Sequence, residues 1–226
     1  MLKFVKSNPK NYKVGRTSPI KYIVIHYTAN NGDTAKGNAE YYANTALGAS
    51  AHYFVDEYDT VYQSVKDTDT AWAVGGTSKY VHPECRNSNS ISIEMCSRNW
   101  SGNGKSATDG GWYFKEETIN NAVALTKELM AKHNIPVENV IRHYDVWGKI
   151  CPAPFVNNPS QWEKFKSMLQ TNKYSYDNTV EHLIRLGVTT TENMAYWEKA
   201  LDGREPLNKD NVRAIFDRLI AKVYNK

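Results

Sequence analysis

Two histidines and a cysteine stand where a fold could bring them to one point. His26 closes the β-branched run Lys21-Tyr-Ile-Val-Ile-His26, and His143 follows a second short run, Val140-Ile-Arg142. Cys151 comes eight residues later, in Gly148-Lys-Ile-Cys-Pro152. Two imidazoles and a thiolate suit zinc, and three protein ligands leave the fourth tetrahedral place for water, as in catalytic rather than structural sites. The compact zinc motifs are absent: the chain has no His-Glu-x-x-His and no Cys-x-x-Cys. Spacing alone therefore leaves two readings open, a zinc centre or histidines with structural duties at strand ends. Glu94 ends an alternating run in which Ile91 and Ile93 face one way and Ser90, Ser92 and Glu94 the other. Taken alone, Glu94 reads as a strand carboxylate paired with Arg98 or a lysine, and Lys149 as a loop lysine.

The elements that must position these residues alternate. Strands are expected at 21–26, at Ala51–Val55 and Thr60–Val65 around an acidic turn, at Asn89–Met95, and from Val140. Between them, Ala39, Tyr42, Ala43 and Ala46 fall at helical spacing with Gly48 just past the end, and Glu116–Lys132 is amphipathic. This order predicts an α/β fold with a mixed central β-sheet flanked by helices, over residues 1–171. Ser97–Gly111, rich in Gly, Asn and Ser, reads as a mobile loop bordering a cleft. Beyond Thr171 only helical patterns follow: Val180/Leu183/Ile184, Met194/Trp197/Leu201, and Val212/Ile215/Phe216/Leu219/Ile220/Val223. These predict a small all-helical C-terminal module at 175–226, joined through Gln170–Tyr174.

Composition narrows the class further. Of 226 residues, 41% are hydrophobic and 23% charged, an ordinary globular balance. Lys3, Lys6, Lys10, Lys13 and Arg16 carry the first sixteen residues with no acid, which accounts for the net charge of +4 and leaves the body near neutral. That is not a nucleic-acid groove, which needs a basic stripe on the fold itself; the arm reads as a solvated tail or a contact to an anionic surface. No stretch approaches the ~20 apolar residues of a membrane span. Met1–Lys6 lacks the apolar core of a signal peptide, so synthesis in the cytoplasm is expected. Three cysteines rule out a complete disulfide framework. Cys85 and Cys96 read as structural thiols, with a disulfide between them left open. His82 and His133 read as surface residues and His182 as a helix residue.

Four sequence words occur in order: Ile23-Val-Ile-His-Tyr-Thr-Ala29, Ser50-Ala-His-Tyr-Phe-Val-Asp56, Ser90-Ile-Ser-Ile-Glu94 and Arg142-His-Tyr-Asp-Val-Trp-Gly-Lys-Ile-Cys-Pro-Ala-Pro154. Together they resemble the zinc-dependent N-acetylmuramoyl-L-alanine amidases, a family that includes phage endolysins, wall-recycling amidases and animal peptidoglycan recognition proteins. The resemblance covers roughly residues 20–170. It implies one zinc ion per chain on His26, His143 and Cys151, with Glu94 as acid/base and Lys149 as electrophilic partner. His52 falls where some members place a tyrosine beside the metal, so a catalytic part is expected of it as well. Tyr27 and Trp72 are expected to meet substrate. Two positions depart from the pattern: Ala73 replaces a histidine found in many relatives, and Trp147 a threonine found in many phage members. The implied activity is hydrolysis of the amide between N-acetylmuramic acid and L-alanine in bacterial peptidoglycan, in the manner of a phage or prophage endolysin acting on the wall after release. The alternative is a peptidoglycan-binding recognition module without catalysis. The helical module is expected to anchor the chain to a wall polymer, or else to form a homodimer through Trp197 and Phe216.

Overall fold

β3 (Tyr22–Tyr27) is an interior strand of the main sheet, with all six residues buried. Its β-branched Ile23, Val24 and Ile25 fill both faces, as a strand covered on two sides requires. In a computed structural model of the chain, the described residues are 1–75, 80–102, 105–170, 184, 187–189, 193–201, 203, 205–206 and 208–224. Contacts divide the chain into two units, Met1–Gln170 and Thr171–Lys226.

The first unit is built on a mixed six-stranded sheet. Its spatial order is β1 (Leu2–Phe4), β5 (Val61–Gln63), β4 (Tyr53–Val55), β7 (Ser90–Met95), β3 and β10 (Val140–Arg142). Neighbours run parallel except for the β4–β5 hairpin. Two small ribbons flank it, β2 (Tyr12–Lys13) with β6 (Thr70–Ala71), and β8 (Arg98–Asn99) with β9 (Trp112–Tyr113). α1 (Ala35–Asn44) starts on Thr34, whose hydroxyl accepts from the Gly37 N–H at 3.0 Å. α2 (Glu116–His133) carries Glu116 and Glu117 in its first turn and Lys132 and His133 in its last, matching the helix dipole. It stops at Asn134, which takes the left-handed conformation at φ 52°. α3 (His143–Trp147), α4 (Ala153–Val156) and α5 (Pro159–Leu169) follow β10. One continuous core joins Ile23, Ile25, Ile91 and Ile93 of the sheet to Leu125 and Leu129 of α2 and to Phe155, Trp162 and Phe165.

One expectation about this unit is corrected. The basic arm is no tail: Leu2–Phe4 extends the sheet beside β5, and the Arg16 guanidinium donates to the carbonyls of Asp67, Asn87 and Ser88. An edge strand with three exposed residues has no buried alternation to reveal it. The Ser97–Gly111 segment opens with β8, paired to β9 just beyond it, and the described residues between them form a loop, as expected. The serine face of β7 is as buried as its isoleucine face: the Ser90 hydroxyl donates to the Arg86 carbonyl at 2.9 Å, and the Ser92 N–H to the His52 ring at 3.0 Å. Cys85 and Cys96 are buried free thiols. His133 places Nε2 2.9 Å from the Asp67 carboxylate.

In the second unit, α6 (Met194–Leu201) and α7 (Lys209–Tyr224) are the described helices of more than one residue. Trp197 and Val188 are buried, and Arg218 donates to the Val188 carbonyl at 2.7 Å. The expected linker at 171–174, His182, and Val180 and Leu183 of the first helical pattern lie outside the described residues. Among the described residues no helix is long and apolar enough to cross a membrane.

Candidate active site

The sheet ladder brings the first pair together. His26 of β3 is the register partner of Glu94 of β7, and Glu94 is in turn the partner of Phe54 of β4. One oxygen of Glu94 lies 3.9 Å from His26 Nδ1. On the other side of β3, Arg142 of β10 stands opposite Ile25, so the next residue, His143, arrives beside His26. The two rings are 4.6 Å apart at 54°. Arg142 is held by Asp145 through contacts of 2.8 and 3.0 Å, which fixes the entry into α3. Gly148, left-handed at φ 75°, then turns the chain back, and the Tyr144 N–H donates to the Cys151 carbonyl at 2.8 Å. Cys151 Sγ ends 3.9 Å from His26 Nδ1. One donor atom from each of His26, His143 and Cys151 lies within 4.8 Å of the others, and all three residues are buried.

Burial dominates the electrostatics of this cluster. Burial, with the charge of Lys149, lowers the His143 pKa to about 4, and burial with the neighbouring His143 holds His26 well below the ordinary imidazole range. Both rings are therefore neutral at pH 7, and the His26–Glu94 contact is no ion pair. Burial also pushes up the Cys151 thiol, and it raises the Glu94 carboxyl to about 8 against the opposing charge of Lys149. His26 Nε2, His143 Nε2 and Glu94 Oε2 are buried without a hydrogen-bond partner. Such atoms each cost ~1–3 kcal/mol when left unsatisfied. Two neutral imidazoles with unpartnered nitrogens, beside a buried thiol, fit a divalent ion of zinc's preferences.

The cluster opens on a cleft of about 300 Å³. Glu94, Lys149 and Tyr27 line it together with the three candidate ligands, and Thr28, Ala29, Asn38, Tyr42, Phe54, Ala73 and Ala107 complete the wall. A cavity of about 350 Å³ between β1 and α2 is larger but contains no His or Cys, so the chemistry belongs to the smaller one. The Tyr27 hydroxyl already donates to the Ala107 carbonyl at 2.7 Å, which leaves the ring as its contribution. Arg98 is engaged by Glu57 at 2.7 Å and by Asp33 at 3.7 Å, so it is not the partner of Glu94.

His52 and Trp72 are not brought into the cleft. His52 precedes Phe54 by two residues on the same face, so it lies one step down the strand, under the cleft rather than in it. Its Nδ1 accepts from the Ser92 N–H and its Nε2 lies 2.7 Å from the Arg16 guanidinium. Burial and then the Arg16 charge depress its pKa to about 3. Trp72 is 37% exposed with its N–H on the Ser50 hydroxyl at 3.0 Å, and it is the following Ala73 that reaches the cleft. Asn38 and Tyr42 were not singled out as site residues by sequence reasoning; their spacing of four along α1 was the available signal.

A family profile described as N-acetylmuramoyl-L-alanine amidase matches residues 16–154, more than half of the chain and all of the residues just described. The chain belongs to this amidase family. It is 30% identical over 177 residues to the N-acetylmuramoyl-L-alanine amidase CwlL of Bacillus licheniformis, a match that covers 74% of this chain and 46% of CwlL. The chain thus spans about half the length of the curated relatives it matches. The solved catalytic domain of XlyA superposes with a TM-score of 0.58 at 26% identity, covering 75% of this chain and 99% of that one. The structure of PlyL does so with a TM-score of 0.58 at 28% identity, covering 76% and 97%.

Proposed function

We propose that this amidase-family chain hydrolyses the amide bond between N-acetylmuramic acid and L-alanine in bacterial peptidoglycan, as an endolysin-type enzyme with one zinc ion per chain. The observation that carries this reading is the meeting of three buried donors, His26, His143 and Cys151, with Glu94 at the foot of an open cleft. When bound, zinc supplies a Lewis acid that polarises a carbonyl and brings the pKa of water down to ~7. Glu94 holds or releases a proton at its carboxylate. Its place beside the candidate ligands, 3.9 Å from His26 Nδ1, suits it to take a proton from water and pass it to the leaving nitrogen. Lys149 adds a positive charge to the same wall, where an oxyanion would form. Tyr27 offers an aromatic face held by the Ala107 carbonyl. His52 acts through the fold, tying β4 and β7 to Arg16.

The test is metal analysis combined with mass spectrometry of purified walls digested by the zinc-loaded chain. New free amino groups on alanine, with unmodified sugar strands, are the expected products. Sedimentation with the wall and no release would replace hydrolysis by recognition alone.

A further inference from the structure

The orientation of one amide in the cleft wall is fixed by what surrounds it. Asn38 Nδ2 lies 2.7 Å from the Asp33 carboxylate, 3.0 Å from the Thr34 carbonyl and 3.5 Å from Cys96 Sγ. All three are acceptors, so exchanging the amide nitrogen and oxygen would set Oδ1 against a carboxylate. Asp33 is itself braced by Arg98, which grips Glu57 through both carboxylate oxygens. Asn38 lines the cleft, and with its nitrogen engaged by these acceptors Oδ1 is the end of the amide left for a ligand. One helical turn on, Tyr42 lines the same cleft with its ring on Phe54 at 5.2 Å. Its backbone carbonyl is anchored by Asn8, Ser7 and Asn11 at 2.9, 3.2 and 2.9 Å. Burial and the nearby Glu94 keep its phenol neutral and able to donate.

We propose that this face of α1 is a specificity-determining wall that reads one amide unit of the substrate, Asn38 Oδ1 accepting its N–H and Tyr42 Oη donating to a neighbouring carbonyl. The wall rests on the amidase reading for its ligand, since a muramoyl peptide offers such N–H groups both in its stem and in the acetamido group of its sugar. An acceptor held in place by its own neighbours loses little freedom on binding, so the contact favours substrates that offer the N–H there.

Calorimetric titration separates the wall from the chemistry. The zinc-loaded full chain in a Glu94→Gln background, where turnover is slow, is titrated with three soluble fragments: the parent muramoyl peptide, one methylated at a stem amide nitrogen, and one lacking the acetamido group. Asn38→Ala is expected to weaken binding of the parent about tenfold, the scale of one hydrogen bond. It is expected to lose no further affinity on one of the two altered fragments, and that fragment identifies the N–H being read. Tyr42→Phe, which keeps the ring on Phe54, is expected to weaken the parent about threefold or more. Additive losses on both altered fragments overturn the assignment to Asn38, and unchanged binding by Tyr42→Phe overturns that to Tyr42. Should Asn38→Ala not fold, Asn38→Ser takes its place in the same cycle. Absence of hydrolysis by the unaltered chain would bear on the amidase reading alone, because these titrations need no turnover.

Discussion

At neutral pH the metal-free site holds two neutral imidazoles, a thiol and a carboxyl whose pKa is near 8, so a cation must displace protons to enter. Zinc loading at pH 7 is expected to release at least one proton, from Cys151, since the thiolate is the ligand form. Calorimetry in buffers of different ionisation enthalpy counts it, and Cys151→Ser should lower both the count, by about one, and the affinity. The same carboxyl leaves a mark on stability. Glu94 rises from an ordinary 4.5 to about 8 in the folded metal-free protein, so the folded state keeps a proton that the unfolded chain has given up. That contribution is complete below the unfolded value and is lost as pH rises through 8. His26 and His143 act in the opposite sense, but only below their ordinary 6.5. The melting temperature of the metal-free chain should therefore fall between pH 6.5 and 8, and Glu94→Gln should flatten that slope; a level curve for the unaltered chain would speak against a buried acid. In the zinc-loaded enzyme, Glu94→Gln should keep the metal and lose at least ~100-fold in kcat, the usual scale for a missing acid/base. At this scale the sequence was legible through its words rather than its spacing. Nothing in the interval from 26 to 143 says that two imidazoles meet, because the meeting is made by neighbouring parallel strands. His52 was misplaced because residue type and proximity in sequence do not say how far down a strand a side chain sits.

Elements with two buried faces or a long apolar stripe were the readable ones. β3 announces itself by its β-branched run, and α2 by its apolar Val123, Leu125 and Leu129, all buried. β1 and the β8–β9 ribbon were not readable, since strands of two or three residues are too short to carry a period. Packing of the short helices should matter to the site as much as the sheet does. Phe155 of α4 is fully buried, with ring centroids 5.1, 5.6 and 5.2 Å from those of Phe114, Trp162 and Phe165, and α4 begins two residues after Cys151. Phe155→Ala is expected to cost ~3–5 kcal/mol in denaturant unfolding of the metal-free chain. Zinc affinity should fall in the same variant, because the segment that presents the thiol loses its backing. Unchanged affinity would mean that Gly148 and the Tyr144 bond hold Cys151 without help.

For the whole molecule, the division at Gln170 sets the question of what the helical unit adds. A chain ending at Gln170 is expected to fold with one cooperative transition and to hydrolyse soluble muramoyl peptides with kcat/KM unchanged. Its sedimentation with intact walls should drop if residues 171–226 serve as an anchor. Retained sedimentation with a change from dimer to monomer would assign them to self-association instead. The change of character near residue 171 was legible because strand patterns cease there while helical ones continue.

The placement of His26, Glu94 and Phe54 on one rung, across three adjacent strands, has an evolutionary consequence. Neighbouring strands are held ~4.8 Å apart, and a slip of one residue would send a strand's side chains to the opposite face. The distance from ligand to acid is thus quantised: it cannot drift by fractions of an ångström as it could on a loop. Fine adjustment is confined to side-chain length and to the segment bearing Lys149 and Cys151, which is where variants with altered pH profiles should be sought.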